Sequence, residues 1–369
     1  MTTRRLCSVL LPIVVAAGAA VADVSLTTPA TQREVHIRLD RAPKALVQEL
    51  RTVPLVPGHN TVTVSWQDAK VDRLSCRFVP VRDTRAVRIG PLTLPAGQDK
   101  AVQWSFRLAA GAEPKADAFW LCYLLDGLVW RVQYLLRLGE GGITGDLAGD
   151  AIVHNDSGQD FERAKVSLGA GREAEVRMAH GETVTVPYVR ATNVPVQQLL
   201  VYDEALYGDA LGVHYLVANH AASGLGQHPL ASGKLRVYRG EGVDEILVGE
   251  GVMPYLPPGE TGEFLVAFAQ DVKVTKRQLS SERVNVRRDD NRQVMLFDLE
   301  EAYEVEIVSE REEAARVKFV EHVDGDWDVM KADREHAQPD ATSLVFELTV
   351  GAGQTVKLSY KVKRRNLTP

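Results

Sequence analysis

Three histidines lie close together in the sequence and are candidates for metal chemistry. His214, His220 and His228 are spaced so that all three would share one face of an uninterrupted strand, and imidazole is a common zinc ligand. Gly224 and Gly226 interrupt that strand. The pattern therefore favours solvated or hydrogen-bonded histidines over a zinc site.

An acidic segment near the C-terminus has the spacing of a calcium loop. Its acidic residues fall at positions one, three, five and twelve of such a loop: Asp324, Asp326, Asp328 and Glu335. Val329 stands where the sharp turn needs glycine, and the flanking segments alternate like strands rather than helices. We predict a hairpin turn at Asp324-Gly325 with Trp327 packed inward, and no specific calcium binding.

Signatures of common enzymes are missing from the sequence. There is no G-x-S-x-G, no H-E-x-x-H and no Cys-His pair of known spacing. Gly224 and Gly226 could begin a dinucleotide loop, but Pro229 follows them, and Gly233-Lys234 lacks the upstream glycine of a phosphate loop. The sequence therefore predicts no catalytic, cofactor-binding or metal-binding residue. Paired carboxylates of a glycan hydrolase cannot be located without a fold, so that activity stays as an alternative.

Length and charge narrow the class of protein. The chain has 369 residues, of which 45% are hydrophobic and 25% are charged, as in ordinary folded domains. Its net charge of −6 argues against a general nucleic-acid binder, which is normally basic. After residue 22 no stretch has the roughly 18–20 apolar residues of a transmembrane helix.

The first 22 residues have the pattern of a signal peptide. Arg4 and Arg5 precede an apolar run that ends in Ala20-Val21-Ala22, a small-residue cleavage site. A membrane anchor is the alternative, but the run is short and contains Pro12. We therefore predict an exported, periplasmic or extracellular protein whose mature chain begins near Asp23.

Two cysteines remain after removal of the signal peptide. Cys76 and Cys122 each lie in an apolar, strand-like run. An exported chain can oxidise such a pair, and a buried free thiol suits the same surroundings. Both alternatives stay open.

The rest of the chain consists of strand-like segments organised around residues 119–138. An apolar run ends at Asp126-Gly127, a pair typical of a type I′ hairpin turn. Strict alternation follows on one face, which indicates a half-buried strand: Trp130, Val132, Tyr134, Leu136 and Leu138. We expect a central hairpin with Trp130 and Tyr134 in the same core.

Turn residues and shifts of composition divide the chain further. We predict a signal peptide at 1–22, an N-terminal β domain at 23–108 and a central β-sandwich at 109–280. A C-terminal immunoglobulin-like sandwich is predicted at 281–369. The fold class is all-β, with tandem antiparallel sandwiches.

Seven residues of the central segment form two spaced motifs, Y-x-x-x-G-x-x-W-x-x-x-Y and N-x-x-G-x-D: Tyr123, Gly127, Trp130, Tyr134, Asn155, Gly158 and Asp160. With these motifs the segment resembles a bacterial family, domain of unknown function 4139, which includes mucoidy-inhibitor-A-like proteins. Phe161 replaces the usual tryptophan, and only a short linker at 109–118 stands where many relatives carry a coiled coil. The resemblance implies an all-β envelope protein with no established active site.

From these features we expect a non-enzymatic, exported β-sandwich protein that binds an envelope protein or polysaccharide, or serves as a structural component of the envelope. A secreted hydrolase acting on glycans through carboxylates is the alternative. Two carboxylates in a cleft would favour the enzyme.

Overall fold

The computed structural model describes residues 21–27, 34–40, 43–82, 87–109, 111–169, 171–240 and 242–369. The predicted signal peptide lies outside this part of the chain except for Val21 and Ala22, which begin the first strand. Cleavage before Asp23 would leave most of that strand in place.

The described residues are 67% strand and 4% helix, which confirms the predicted all-β class. The first strands are β1 (Val21–Thr27), β2 (Val35–Arg38), β3 (Ala45–Leu55), β4 (Gly58–Ser65), β5 (Val71–Pro80), β6 (Val87–Thr93), β7 (Ala101–Leu108), β8 (Lys115–Leu125), β9 (Leu128–Leu138), β10 (Thr144–Asn155), β11 (Phe161–Ser167), β12 (Glu173–Met178) and β13 (Thr183–Asp203). Next are helix α1 (Glu204–Tyr207), β14 (Leu211–Ala218), β15 (Gly233–Arg239), β16 (Ile246–Met253), β17 (Thr261–Phe268), β18 (Val272–Arg288), β19 (Val294–Ser309), β20 (Ala315–His322), β21 (Asp326–Ala332), β22 (Ser343–Val350) and β23 (Thr355–Leu367). Short 3-10 turns occupy Glu140–Gly142, Ala221–Ser223 and Gly242–Asp244.

These strands form two compact units that are not contiguous in sequence. The first unit comprises the described residues of Met1–Trp130 together with Val153–Val184. The second comprises Arg131–Ile152 and Thr185–Pro369. The chain therefore passes between the units within β9, within β10 and at the start of β13.

The first unit has two sheets, with strand orders β1-β4-β7-β6 and β12-β11-β2-β3-β8-β5. Aromatic rings from both sheets meet in its core. Phe78 of β5 lies 4.7 Å from Trp104 and 5.3 Å from Phe106 of β7, and Phe106 lies 5.3 Å from Phe119 of β8. Edge-to-face contacts at these distances add to the free energy of apolar burial, so this unit is a sandwich held by aromatic side chains.

The second unit also has two sheets. The larger has the order β16-β15-β9-β10-β13-β14-β17, with β20 pairing β13 and β22 pairing β20. The smaller has the order β18-β19-β23-β21. Tyr360 of the smaller sheet lies 5.5 Å from Phe346 and 6.2 Å from Phe319 of the larger, so aromatic residues again fill the space between sheets.

The larger sheet of the second unit is curled, and its two outer strands approach each other. Side-chain atoms added at Gly249 and Gly251 of β16 would lie 2.4 Å from the carbonyl oxygen of Val266 and 2.2 Å from that of Leu265 in β17. Only glycine allows such close backbone approach. The L-V-G-E-G segment at 247–251 thus brings the ends of the sheet together in a barrel-like arrangement.

The predicted hairpin at 119–138 is wrong. β8 pairs with β3 and β5, whereas β9 pairs with β15 in parallel and with β10. Of the two turn residues, only Gly127 has a positive φ, +88°, so the type I′ turn does not form. Both edges of β8 are already occupied by other strands, which leaves none for β9.

The predicted domain boundaries differ from the borders of the two units. Residues 115–125 of the expected linker and central domain form β8 within the first unit, and position 280 lies inside β18. Strands from 281–369 also enter both sheets of the second unit, since β20 pairs in parallel with β13. Strand pairing joins distant parts of the chain, so turn residues alone do not mark where a unit ends.

The basic residues at the end of the chain are paired with acidic residues across strands. Lys361 binds Glu300 at 2.6 Å, and Arg364 binds Glu301 at 2.9 Å. Opposite charges on neighbouring strands stabilise their register. These charges therefore hold β23 beside β19 within the smaller sheet.

Candidate functional site

A buried polar network surrounds Tyr123 in the first unit. The Tyr123 hydroxyl donates to Glu49 and lies 3.0 Å from Oε1 of Gln159, whose amide donates to Glu49 at 2.8 Å. Arg51 forms an ion pair with the same Glu49. Burial, and then the negative charge of Glu49, raise the pKa of Tyr123 well above its usual range. The hydroxyl thus stays protonated as a donor, and the role of the network is structural.

The Asn155 side chain organises the turn that follows β10. Its amide donates to the carbonyl of Gln159 at 2.8 Å, and its oxygen accepts from the backbone and hydroxyl of Ser157 at 3.1 and 2.6 Å. Asp160 accepts from the backbone N–H of His180 at 2.7 Å. Asn155 therefore satisfies groups of the turn itself, whereas Asp160 joins the turn to the segment between β12 and β13.

Two motif glycines allow backbone segments to meet at this turn. Gly127 has a φ of +88°, and an added Cβ would lie 2.3 Å from the carbonyl oxygen of Asp156. Gly158 has a φ of +77°, and its Cβ would lie 2.2 Å from that of Asp68. The turn lines a cavity of about 260 Å³, formed by Gln67, Asp68, Ala69, Gly158, Gln159, Asp160 and His180.

Trp130 and Tyr134 have different surroundings, which corrects the expectation of one shared core. Trp130 belongs to the first unit, is half-buried and donates from Nε1 to the carbonyl of Leu39 at 3.0 Å. Tyr134 belongs to the second unit, is buried and donates to the carbonyl of Ala231 at 2.7 Å. The alternation of β9 is as predicted, but its strand passes from one unit into the other.

The three candidate histidines lie in separate environments. His214 is buried between Glu263, 3.0 Å from Nδ1, and the Tyr207 hydroxyl, 3.2 Å from Nε2. His220 is exposed at the start of a 3-10 turn, and His228 is half-buried. Within the described part of the chain, no group of three or more His, Cys, Asp or Glu side chains could hold a metal ion.

The acidic segment at 324–335 does not form a loop around a common centre. Asp326 and Asp328 both pair with Arg365, the former at 3.1 Å. Gly325 has a φ of +88°, and Trp327 donates to a backbone carbonyl at 2.7 Å. The predicted hairpin is wrong, because β20 and β21 on either side of the turn belong to different sheets.

Cys76 and Cys122 are buried free thiols. They lie on neighbouring strands, where Cys122 is opposite Arg77 and Leu121 is opposite Phe78. Cys76 is buried on the Phe78 side, so the two thiols point to opposite faces of the sheet. Burial raises the pKa of Cys76 to about 12.

Three cavities of the second unit adjoin one another at one end of the curled sheet. A first cavity of about 640 Å³ includes the ends of β9, β10 and β15. A second of about 270 Å³ includes β13, and a third of about 350 Å³ includes the start of β16 and the end of β17. We call these three cavities together the mouth. Ligand sites often lie at the mouths of curled or closed sheets.

Arg239 lines all three cavities of the mouth. It is the last residue of β15, and its side chain is exposed. Among the residues that the structure describes, it has no carboxylate partner within ion-pair distance. A guanidinium in this position has five N–H donors available for a bound group.

The other guanidinium groups of the mouth are paired. Arg137 binds Glu245 at 2.7 Å, Arg311 binds Asp271 at 2.7 Å, and Arg316 binds Glu347 at 3.1 Å. Acidic groups line the first cavity as well: Glu140, Asp146 and Glu313. The mouth therefore has balanced charge, and Arg239 differs from its neighbours in lacking a counterion among the described residues.

A chain of hydrogen bonds supports the wall between the second and third cavities. Arg311 donates to Oε1 of Gln198 at 2.8 Å, and the Gln198 amide donates to the Tyr215 hydroxyl at 2.9 Å. Tyr215 is buried, whereas Arg311 is also held by Asp271. These bonds fix the polar groups that a ligand would meet.

The mouth is not evident from the sequence because its residues are far apart in the chain. The alternation of the K-L-R-V-Y-R segment at 234–239 indicates a strand and nothing more. One local signal exists in the sequence: Arg239 ends an alternating segment and is followed by Gly240, and the loops that follow strands commonly carry functional side chains.

No family model, curated protein or solved structure matches this chain. In the described residues, no helix has the length and apolar character needed to cross a membrane.

Proposed function

We propose that this chain is an exported, non-enzymatic binding protein of the bacterial cell envelope, which holds a partner molecule in the mouth of its second unit. The observation that carries this proposal is the position of Arg239 at the junction of three adjoining cavities. The signal-peptide pattern at 1–22 and the motif resemblance to family 4139 support the envelope location as part of the proposal.

Binding rather than covalent chemistry suits the groups of the mouth. Its cationic side chains other than Arg239 are engaged in ion pairs, and Gln198 is fixed by Arg311 and Tyr215. Such an arrangement offers oriented donors and acceptors at little further entropic cost. It resembles a recognition surface, where a few placed polar groups determine orientation.

The proposal is tested with the mature chain from Asp23 and two variants. Arg239→Gln removes the central cation, and Arg334→Gln removes an exposed arginine that does not line the mouth. Binding of purified envelope polysaccharide and of envelope proteins is measured by biolayer interferometry. We expect the wild type and Arg334→Gln to bind one of these alike, and Arg239→Gln to bind it roughly tenfold more weakly. Equal binding by the wild type and both variants would show that the partner binds outside the mouth.

The hydrolase alternative is favoured by one observation, the three carboxylates around the first cavity. Glu140, Asp146 and Glu313 all line it, and glycan hydrolysis requires two carboxylates on opposite sides of the scissile bond. Release of reducing ends from envelope polysaccharide, lost in Glu313→Gln or Asp146→Asn, would establish the enzyme and overturn the binding function.

A further inference from the structure

We propose that the ligand of the mouth is the C-terminal end of a partner polypeptide, with its terminal carboxylate on Arg239 and an apolar last side chain in the third cavity. This inference rests on the proposed binding function and names its partner class. Its basis is the position of Arg239, which has no carboxylate partner among the residues that the structure describes, beside the exposed apolar side chain of Ile246 on the adjacent strand.

The two halves of the site are direct neighbours in the sheet. Arg239 of β15 is paired with Ile246 of β16, and side chains of directly paired residues lie on the same face, about 5 Å apart at Cβ. Both side chains line the third cavity. A C-terminal residue carries its carboxylate and its side chain on one carbon, so it presents an anion and an apolar group at a similarly short separation.

The third cavity is the apolar part of the mouth. Val213, Ile246, Val248, Ala267 and Phe268 contribute to its lining. Ile246 is 63% exposed and Phe268 is 45% exposed, although both belong to residue types that are usually buried. A side chain placed here would remove apolar surface from water on both partners.

Arg239 supplies the polar half. A guanidinium binds a carboxylate with two parallel N–H···O bonds, which sets direction as well as affinity. Gln197 and Gln198 line the adjoining second cavity. Their position suits contacts with the peptide groups that precede a terminal residue, because amide side chains both donate and accept hydrogen bonds.

The same lining disfavours a polysaccharide in the third cavity. Sugar hydroxyls placed against Ile246, Val248 and Phe268 would lose water without gaining hydrogen-bond partners, which is unfavourable. Acidic sugars could still bind Arg239 through their carboxylates. The experiment therefore includes an acidic oligosaccharide as the competing ligand class.

The test uses a pool of acetylated octapeptides whose last two positions are Leu, Ile, Val or Phe. Its matched counterparts are the same pool with amidated C-termini and a pool ending in Ser-Ser with free carboxylates. Binding to the wild-type mature chain, to Arg239→Gln and to Arg334→Gln is measured by fluorescence anisotropy. Polygalacturonate oligosaccharides are tested in parallel.

We expect the free-carboxylate apolar pool to bind wild type and Arg334→Gln, and to bind Arg239→Gln roughly tenfold to hundredfold more weakly, as loss of a charged hydrogen-bonded pair predicts. Amidation should have an effect of similar size, and the Ser-Ser pool should also bind more weakly. Ile246→Asp should reduce binding of the apolar pool while leaving the melting temperature unchanged, since Ile246 is exposed.

Two results would overturn the inference in distinguishable ways. If the oligosaccharide binds and depends on Arg239 while the peptides do not, the mouth is a glycan site and only the peptide assignment fails. If neither binds, or if binding is insensitive to amidation and to Arg239→Gln, the mouth is not a site for carboxylates, and the peptide assignment fails together with the reason for placing a partner there.

Discussion

Replacing Gly127 with alanine tests whether the motif glycine is required by its backbone conformation alone or also by its neighbours. Gly127 has a φ of +88°, which L residues other than glycine seldom adopt. A Cβ at this position would also lie 2.3 Å from the carbonyl oxygen and 2.6 Å from the carbonyl carbon of Asp156. The Gly127 carbonyl itself accepts from the Asp156 N–H at 2.7 Å, so the two backbones cannot separate without breaking this bond.

The chain contains a matched control in the same unit. Gly181 has a φ of +82°, and nothing lies within 4 Å of its added Cβ. A left-handed conformation costs an alanine about 1–2 kcal/mol at either position. At Gly127 the overlap with Asp156 adds about 1–3 kcal/mol, so the expected totals are about 2–5 kcal/mol for Gly127→Ala and about 1–2 kcal/mol for Gly181→Ala.

Thermal melting and urea denaturation of the two variants measure this difference. For a domain of this size, the melting temperature falls about 2–4 °C for each kcal/mol of unfolding free energy that is lost. We therefore expect the melting temperature to fall by about 4–20 °C in Gly127→Ala and by about 2–8 °C in Gly181→Ala. Far-ultraviolet circular dichroism before melting confirms that both variants fold. An equal fall of the melting temperature in the two variants would refute the argument that contact with the turn at 155–160 makes glycine necessary at position 127.

Further measurements test the buried groups and the processing site. Tyr123→Phe removes a buried hydrogen bond to a carboxylate and should lower the free energy of unfolding by about 1–3 kcal/mol in urea titrations; no change would show that the network carries no stability. Cys76, with a pKa raised to about 12 by burial, should not react with Ellman's reagent at pH 8 until the protein is unfolded, and rapid reaction of the folded chain would contradict its burial. The pKa of Glu263 is lowered, chiefly by its hydrogen bond with His214. Its carboxylate therefore stabilises the fold above its unfolded-state pKa and less as pH falls through the lower folded value, so the stability difference between wild type and Glu263→Gln should shrink between pH 7 and about pH 3; a pH-independent difference would refute this linkage. Intact-mass measurement of exported protein should show a start near Asp23, and a retained leader would rule out cleavage.

Local structure followed closely from the residues. Alternation predicted which side chains of β9 share a face, and Val132, Tyr134, Leu136 and Leu138 are indeed buried, whereas Trp130 is half-buried. Gly127 has the positive φ expected of its turn. These features depend on neighbours in sequence, because a period of two places alternate side chains on one face whatever the partner strand is.

The pairing partners of the strands do not follow from the same local patterns. The Asp126-Gly127 pair indicated a hairpin, but β8 lies between β3 and β5 instead. An apolar run with two free edges can pair with several others, and closing a long loop costs only slightly more entropy than closing a short one. The choice among partners is therefore made by the packing of the whole core.

The sequence by itself determined the all-β class, the faces of the strands and the glycine turns, since each depends on stereochemistry within a few residues. Only the tertiary structure decided where Arg239 stands. It becomes the centre of the mouth because β15 pairs with β9 on one side and β16 on the other, while Gly249 and Gly251 let β16 approach β17. Residues from β9 to β17 and beyond then converge at one end of a curled sheet. No local pattern specifies that convergence, because it follows from non-local strand pairing and the curvature of the sheet.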